Sequence, residues 1–245
     1  MATNPGRTGL VSWWPLDEGS GPRADSHGSN TLTDVNTVGS AAGKVGTAAD
    51  FETSSAEELT IADNASLSVG GNGPFTVAAW VYAESMGDDR GVIGKWNAGG
   101  AGSEYVLAAY NVGFVFAAQN SSDTQVTIFE STVGAPAPAT WYYVVAWYDP
   151  ADGKLRIQVN NQTASVSAAS LSGGIRDGAE PFRVGGYNAL SPRWDGLIDE
   201  AFIAKRVYTA DEREWLYNSG AGRSYAETST GSALPLFAAQ IAAMS

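Results

Sequence analysis

Leu155, Ile157 and Val159 alternate with Lys154, Arg156, Gln158 and Asn160, a period of two that turns the aliphatics to a buried face and the polar groups to water. Just before it, residues 141–148 (WYYVVAWY) are apolar on both faces, which suggests a central strand. Between them lies Asp149-Pro150-Ala151-Asp152-Gly153, with the Pro and Asp-Gly chemistry of a tight reversal, so the two segments are expected to pair as an antiparallel hairpin. Further strands are expected at 9–15, 59–61, 75–82, 91–95, 105–109, 113–118, 125–130, 181–184 and 197–204, and Gly, Asn, Ser or Pro punctuates nearly every gap. Many short strands without helical periods between them predict an all-β, antiparallel two-sheet sandwich rather than a parallel α/β sheet.

One helix is marked. Thr209-Ala210-Asp211-Glu212 has the form of a capping box, and Asn218-Ser219-Gly220 is a natural helix end. Trp215 is expected to anchor this helix on a sheet. After Tyr225 the chain becomes polar through Thr228-Ser229-Thr230-Gly231-Ser232, and Leu234, Phe237 and Ile241 then recur at helical spacing. The expected division is a domain over 1–227 and a linker with an apolar arm over 228–245. The arm either docks on a neighbouring protein through Leu234, Phe237 and Ile241 or folds back on its own domain.

Composition narrows the function classes. The 245 residues carry 14 Lys+Arg against 26 Asp+Glu, a net charge of −12, so the field repels phosphate and nucleic acid is not an expected partner. Charged residues are 16% of the chain, under the roughly 25% of an ordinary domain. Eight Trp, 10 Tyr and 8 Phe provide apolar area for a large core. There is no Cys, which excludes disulfide scaffolds, thiolate metal sites and cysteine nucleophiles. No apolar run approaches the ~18 residues that span a bilayer, and the opening residues lack an export signal's basic and apolar regions. A soluble protein is expected.

With the strands placed, the order of landmarks resembles the concanavalin-A-like jelly-roll superfamily, specifically its laminin-G-like or pentraxin-like branch. Four stretches carry the resemblance between about Gly9 and Tyr225. The first is Leu10-Val11-Ser12-Trp13-Trp14-Pro15-Leu16-Asp17-Glu18-Gly19, followed by Asp25-Ser26-His27-Gly28. The second is Gly43-Lys44-Val45-Gly46-Thr47-Ala48-Ala49-Asp50-Phe51. The third is Phe75-Thr76-Val77-Ala78-Ala79-Trp80-Val81 with the later Gly94-Lys95-Trp96, and the last is Trp194-Asp195-Gly196-Leu197-Ile198-Asp199-Glu200.

The resemblance implies a jelly roll and a structural calcium (Ca2+), for which Asp25, Asn30 and Asp199 are the candidate side-chain ligands. Calcium takes about six to eight oxygen ligands, and a loop with Asp, Ser and Asn beside a strand Asp is chemically suitable. His27 departs from the family's Asp-Ser-Ser-Gly turn. The alternative is that Asp25 caps a turn and Asp199 accepts backbone hydrogen bonds.

Some members of the superfamily are glucanases, so the carboxylates were weighed for catalysis. Asp199 and Glu200 are adjacent on a strand, which is expected to send them to opposite faces. Asp195 and Asp199, four residues apart at ~3.3 Å each, would be roughly 13 Å apart, beyond the ~5–5.5 Å of retaining and the ~6.5–9.5 Å of inverting hydrolysis. With His27 the only histidine and no Gly-x-Ser-x-Gly elbow, no triad is expected either. The expectation is a protein that is not an enzyme.

Aromatics in such a sandwich either pack the core or stack on sugars. Trp80, Trp141 and Trp147 lie in strand patterns and are expected in the core. Trp96 and Trp194 sit beside glycine-rich loops, and with Asn97 and Tyr187 they form the candidate ligand surface, since flat rings with amide groups suit a carbohydrate face. Alternatively both Trp cover the open end of the sandwich. The resulting expectation is a non-catalytic structural or binding protein displayed on an assembly surface, most plausibly a phage virion (a capsid decoration or tail protein), with its arm on another virion protein, glycans as further partners and homo-oligomers left open. The alternative is a secreted, extracellular carbohydrate-binding module of a bacterium.

Overall fold

The computed structural model describes residues 1–87, 89–97, 100, 102–188 and 193–229. In chain order the strands are β1 (Leu10–Trp14), β2 (Thr33–Val35), β3 (Gly39–Ala42), β4 (Thr47–Phe51) and β5 (Glu58–Ile61). They continue as β6 (Phe75–Ala83), β7 (Arg90–Lys95), β8 (Tyr105–Tyr110), β9 (Gly113–Gln119) and β10 (Gln125–Phe129). The last are β11 (Trp141–Asp149), β12 (Lys154–Val159), β13 (Ser165–Val166), β14 (Phe182–Val184) and β15 (Gly196–Ala204), followed by the helix α1 (Ala210–Tyr217).

Two antiparallel sheets result. One orders its strands β13-β12-β11-β6-β15-β4-β3, with β1 also on β15; the other runs β10-β9-β8-β7-β14-β5-β2. The hairpin of β11 and β12 forms as its turn predicts, Asp149 pairing with Lys154. The short, partly exposed β2, β3 and β13 and the Ala-containing β4 had no expected counterpart. The inner faces of both sheets close on one core that includes Trp14, Phe51, Phe75, Tyr105, Phe114, Phe116 and Tyr148. This is the all-β jelly-roll sandwich the sequence implies.

Strand β15 departs from simple alternation. Asp199 lies opposite Trp80 and Phe202 opposite Ala78, so Glu200 and Ala201 together face Ala79. Glu200 adopts φ 48°, the left-handed residue of a β-bulge. The bulge puts Asp199 and Glu200 on the same outer face: Asp199 pairs with Trp80, and Glu200 accepts a hydrogen bond from the Trp13 indole. The expected opposite faces are thereby corrected, because an inserted residue resets the period of two.

The outer face of the larger sheet is covered by the chain itself. Trp13, Trp80, Tyr143, Val145, Trp147 and Phe202 pack there against Tyr208 and Leu216. Trp80 and Trp147 are therefore buried, but outside the space between the sheets, and Trp141 is only half-buried. The capping box forms, with Thr209 Oγ1 accepting from the Glu212 amide and the Glu212 carboxylate accepting from the Thr209 amide. Leu216 and Tyr217 anchor the helix together with Trp215: Leu216 is buried, the Tyr217 ring stacks 5.8 Å from Trp80, and Trp215, half-buried beneath the Arg223 guanidinium, packs against the same cluster.

The N-terminal residues join the same layer. Arg7 Nε donates to Thr228 Oγ1 at 3.1 Å, its guanidinium lies 3.8 Å over the Tyr225 ring, and Asn4 Nδ2 donates to the Glu227 carbonyl. Leu234, Phe237 and Ile241 of the expected docking arm lie outside the described residues. Among the described residues no helix is long and apolar enough to cross a membrane.

Candidate functional site

The smaller sheet presents a different outer face. Its inward positions on β8 and β9 are large, namely Tyr105, Leu107, Phe114 and Phe116, while its outward ones are Val106, Ala108, Val115 and Ala117. These small side chains make the floor of a shallow groove of about 70 Å³, walled by Trp96, Tyr187, Tyr110 and Phe129, with Asp89, Gln125 and Thr127 at its margins. Phe129 is 44% exposed, and its ring meets Tyr110 edge-on at 5.9 Å. No helix lies over this cluster. Such a surface takes one flat face of an extended ligand, apolar beneath and polar along its edges.

Trp96 is held from below. It follows Lys95, whose side chain turns inward and is completely buried. Lys95 Nζ donates to Glu104 Oε1 at 2.5 Å, Asp63 Oδ1 at 2.6 Å and Ser68 Oγ at 2.6 Å, and meets the Gly178 carbonyl at 2.9 Å. A buried ammonium is tolerated only with such partners, and strand alternation then sends Trp96 to the outer face. Tyr187 is brought in by close backbone approach. A Cβ at Gly91 would sit 2.6 Å from the Gly186 backbone, and Gly185, at φ 80°, leaves room for the Phe51 ring at 2.3 Å from such a Cβ. Only glycine permits either contact.

The Tyr187 hydroxyl donates to Asp89 Oδ2, while Asp89 Oδ1 is buried without a hydrogen-bond partner. Burial, and then the neighbouring Asp89, raise both phenols; Tyr110 is pushed up to about 12. Both stay protonated, and Tyr187 spends its one proton on Asp89, leaving its oxygen lone pairs free to accept.

Of the four ligand-surface residues expected from sequence, the structure brings Trp96 and Tyr187 together in this groove. Asn97 stands beside it, exposed, its amide donating to Glu180 Oε1 at 3.0 Å. Trp194 is elsewhere: it is 1% exposed, sits in the core between the sheets and donates to the Tyr82 carbonyl at 3.2 Å. Asp89, Tyr110 and Phe129 were missed. Their signal was a pair of strands apolar on both faces but small on one, bounded by aromatics.

The residues the resemblance offers to calcium do not fit a cation. Asp25 Oδ1 accepts from the backbone of Trp13, His27 and Gly28, and Oδ2 from that of Asn30. Burial pushes the Asp25 carboxyl up, but these bonds together with one from Ser12 outweigh it and hold the pKa below the ordinary value. The Asn30 amide is engaged by Ser12, Ser66 and Asn64. Asp199 Oδ2 accepts from the amides of Lys44 and Val45 at 2.7 and 2.8 Å and shares no partner with the other two. The Asp25 carboxylate and Asp199 Oδ2 face N–H dipoles, which repel a cation, while Asp199 Oδ1 is buried without a partner. Among the described residues no group of three or more His, Asp or Glu is arranged to hold a metal.

Asp199 and Glu200 are walled in as well, both at or below 2% exposure. Burial raises Asp199 to about 7 and Glu200 to about 9, the Trp13 bond opposing the shift at Glu200 and the Asp199 charge adding to it. No saccharide reaches this pair. Among the described residues lining the groove the one carboxylate is Asp89, where glycoside hydrolysis takes two.

A family model described as the Concanavalin A-like lectin/glucanases superfamily (Laminin_G_3) matches residues 53–212. The chain belongs to this superfamily, in its laminin-G-type branch. A comparison with curated proteins returns no match. Among solved structures the chain is similar to domain 4 of AbnA, an extracellular arabinanase of Geobacillus stearothermophilus, in complex with arabinotriose. That likeness has 18% identity and a TM-score of 0.64, covering 87% of this chain and 98% of that one. It is also similar to the binding domain of Paraclostridial Mosquitocidal Protein 1 (13% identity, TM-score 0.70, 87% and 53% covered). A third neighbour is the binding domain of botulinum neurotoxin serotype G (12%, 0.64, 85% and 51%). The chain spans about half of the two toxin domains, and all three likenesses are of fold.

Proposed function

We propose that this domain binds carbohydrate, without cleaving it, through the aromatic groove on the outer face of β7–β10. The observation that carries the reading is that Trp96, Tyr187, Tyr110 and Phe129 wall a groove on this sheet face, with Trp96 and Tyr187 only 5% and 6% exposed and the Tyr110 and Phe129 rings reaching the solvent. Rings with hydroxyl and amide groups at the margin match the alternating apolar faces and hydroxyl edges of sugars. The AbnA domain, similar over nearly its whole length, was solved with arabinotriose, which supports the same ligand class here.

The setting that fits best is a module secreted or displayed at a surface, since the neighbours are an extracellular arabinanase domain and toxin binding domains. A virion role would rest on the apolar arm. The described chain ends at Ser229 on the covered face, with residues 225–228 clasped to the N-terminus, so an arm attached to a partner would leave the groove pointing away from the attachment. The test is a broad glycan array read with the intact protein and with Trp96→Ala, whose fold is checked by circular dichroism. Binding by the intact protein that drops at least tenfold in the variant supports the reading; a blank array, or binding that Trp96→Ala leaves unchanged, refutes it.

A further inference from the structure

We infer that the groove selects uncharged, hydroxyl-donating oligosaccharides and rejects glycans bearing carboxylate or sulfate, and that Asp89 sets this selectivity as a positioning residue. The inference rests on the carbohydrate reading above and goes beyond it in naming the class of sugar. The Tyr187 hydroxyl donates to Asp89 Oδ2, and Asp89 Oδ1 is buried with no hydrogen-bond partner. A phenol has a single proton, so what the Tyr187 oxygen and Asp89 Oδ1 offer the groove is acceptor capacity alone. A ligand must therefore bring the donors, as a sugar hydroxyl does and an ionised carboxylate or sulfate cannot.

Charge points the same way. Among the described residues lining the groove there is no Lys or Arg, and Asp89 is the only ionisable group besides the tyrosines. The arginines nearby are committed: Arg90 donates to Thr53 Oγ1 and to the Arg193 carbonyl, Arg183 and Arg193 both pair with Glu58, at 3.4 and 3.2 Å, and Arg183 also lies 3.9 Å from Glu180. Their guanidiniums are almost wholly buried in that network. An anionic glycan would meet an unopposed carboxylate in a partly desolvated groove, on a protein of net charge −12, and find no counter-charge.

The experiment measures affinity for the best neutral oligosaccharide on the array and for its sialylated or uronic-acid counterpart, using intact protein, Asp89→Asn and Tyr187→Phe, with melting temperature as the control for folding. The intact protein should prefer the neutral ligand at least tenfold. Asp89→Asn removes the charge and puts an amide N–H donor in place of one acceptor oxygen, so the neutral-to-anionic ratio should narrow at least fivefold, a change that mere loosening of the site would not produce. Tyr187→Phe keeps the ring and removes one acceptor, so neutral affinity should drop roughly two- to tenfold. Equal affinity of the intact protein for neutral and anionic ligands overturns the selectivity and leaves the carbohydrate reading standing, as does a ratio unmoved by Asp89→Asn. Absence of binding to either class overturns both.

Discussion

The two sheets carry outer faces of similar chemistry and opposite fate. On the larger sheet, Trp13, Trp80, Tyr143, Trp147 and Phe202 form an aromatic layer that α1, Tyr208 and the N-terminal residues seal. On the smaller one, Trp96, Tyr110, Phe129 and Tyr187 surround small side chains, and a groove remains between them at which the Phe129 and Tyr110 rings reach the solvent. Residue type does not distinguish core from site here. What differs is whether the chain returns to cover the face, and an aromatic surface that folding leaves open is available to a ligand.

The sharpest way to break this contrast is to delete one ring from each face. Trp80→Ala removes a side chain stacked on Tyr217 and packed on Tyr143 and is expected to cost about 3–5 kcal/mol of stability, read by chemical denaturation, with little effect on glycan affinity in the protein that remains folded. Phe129→Ala, on the smaller sheet's outer face, should cost about 1 kcal/mol of stability because the ring is 44% exposed, yet weaken binding several-fold. Interchanged outcomes would mean that the faces have been assigned the wrong way round.

The covered face should also respond to pH, and the open one should not follow it. Asp199 and Glu200 titrate in the fold near about 7 and about 9, above their ordinary values of 3.8 and 4.5, because burial disfavours the charged forms. The stabilisation from their protonated forms is complete below about pH 4 and is lost as pH rises through those folded-state values. Melting temperature should decline between pH 5 and 9, and Glu200→Gln should flatten the upper part of that decline. A stability that rises across this interval would show that the pair is not held protonated. The smallest effect expected is at the helix cap, where Thr209→Ala removes the acceptor for the Glu212 amide and should cost about 1 kcal/mol.

Much of the fold was legible because period-two patterns and turn residues are local signals. The β11–β12 hairpin and the capping box at Thr209 needed no tertiary information. The bulge at Glu200 did, since one inserted residue with positive φ is invisible in a run of apolar and acidic letters, and it moved two carboxylates to one face. Leu216 and Tyr217 join Trp215 in anchoring the helix for a related reason: which side chains of a short helix meet the sheet depends on its docking angle. The site was half legible. Trp96 and Tyr187 were marked by their loops, whereas Trp194 has the same glycine-rich neighbourhood and points into the core. Asp89 could not be singled out, because its role comes from the two phenols that the sheet carries to it.

The most direct test follows the tryptophan indole N–H signals by NMR while titrating the neutral glycan that binds best on the array. The account predicts that the Trp96 indole moves and saturates with the ligand, while those of Trp13, Trp80 and Trp194 stay in place. Shifts centred on Trp13 and Trp80, with Trp96 unmoved, would contradict it.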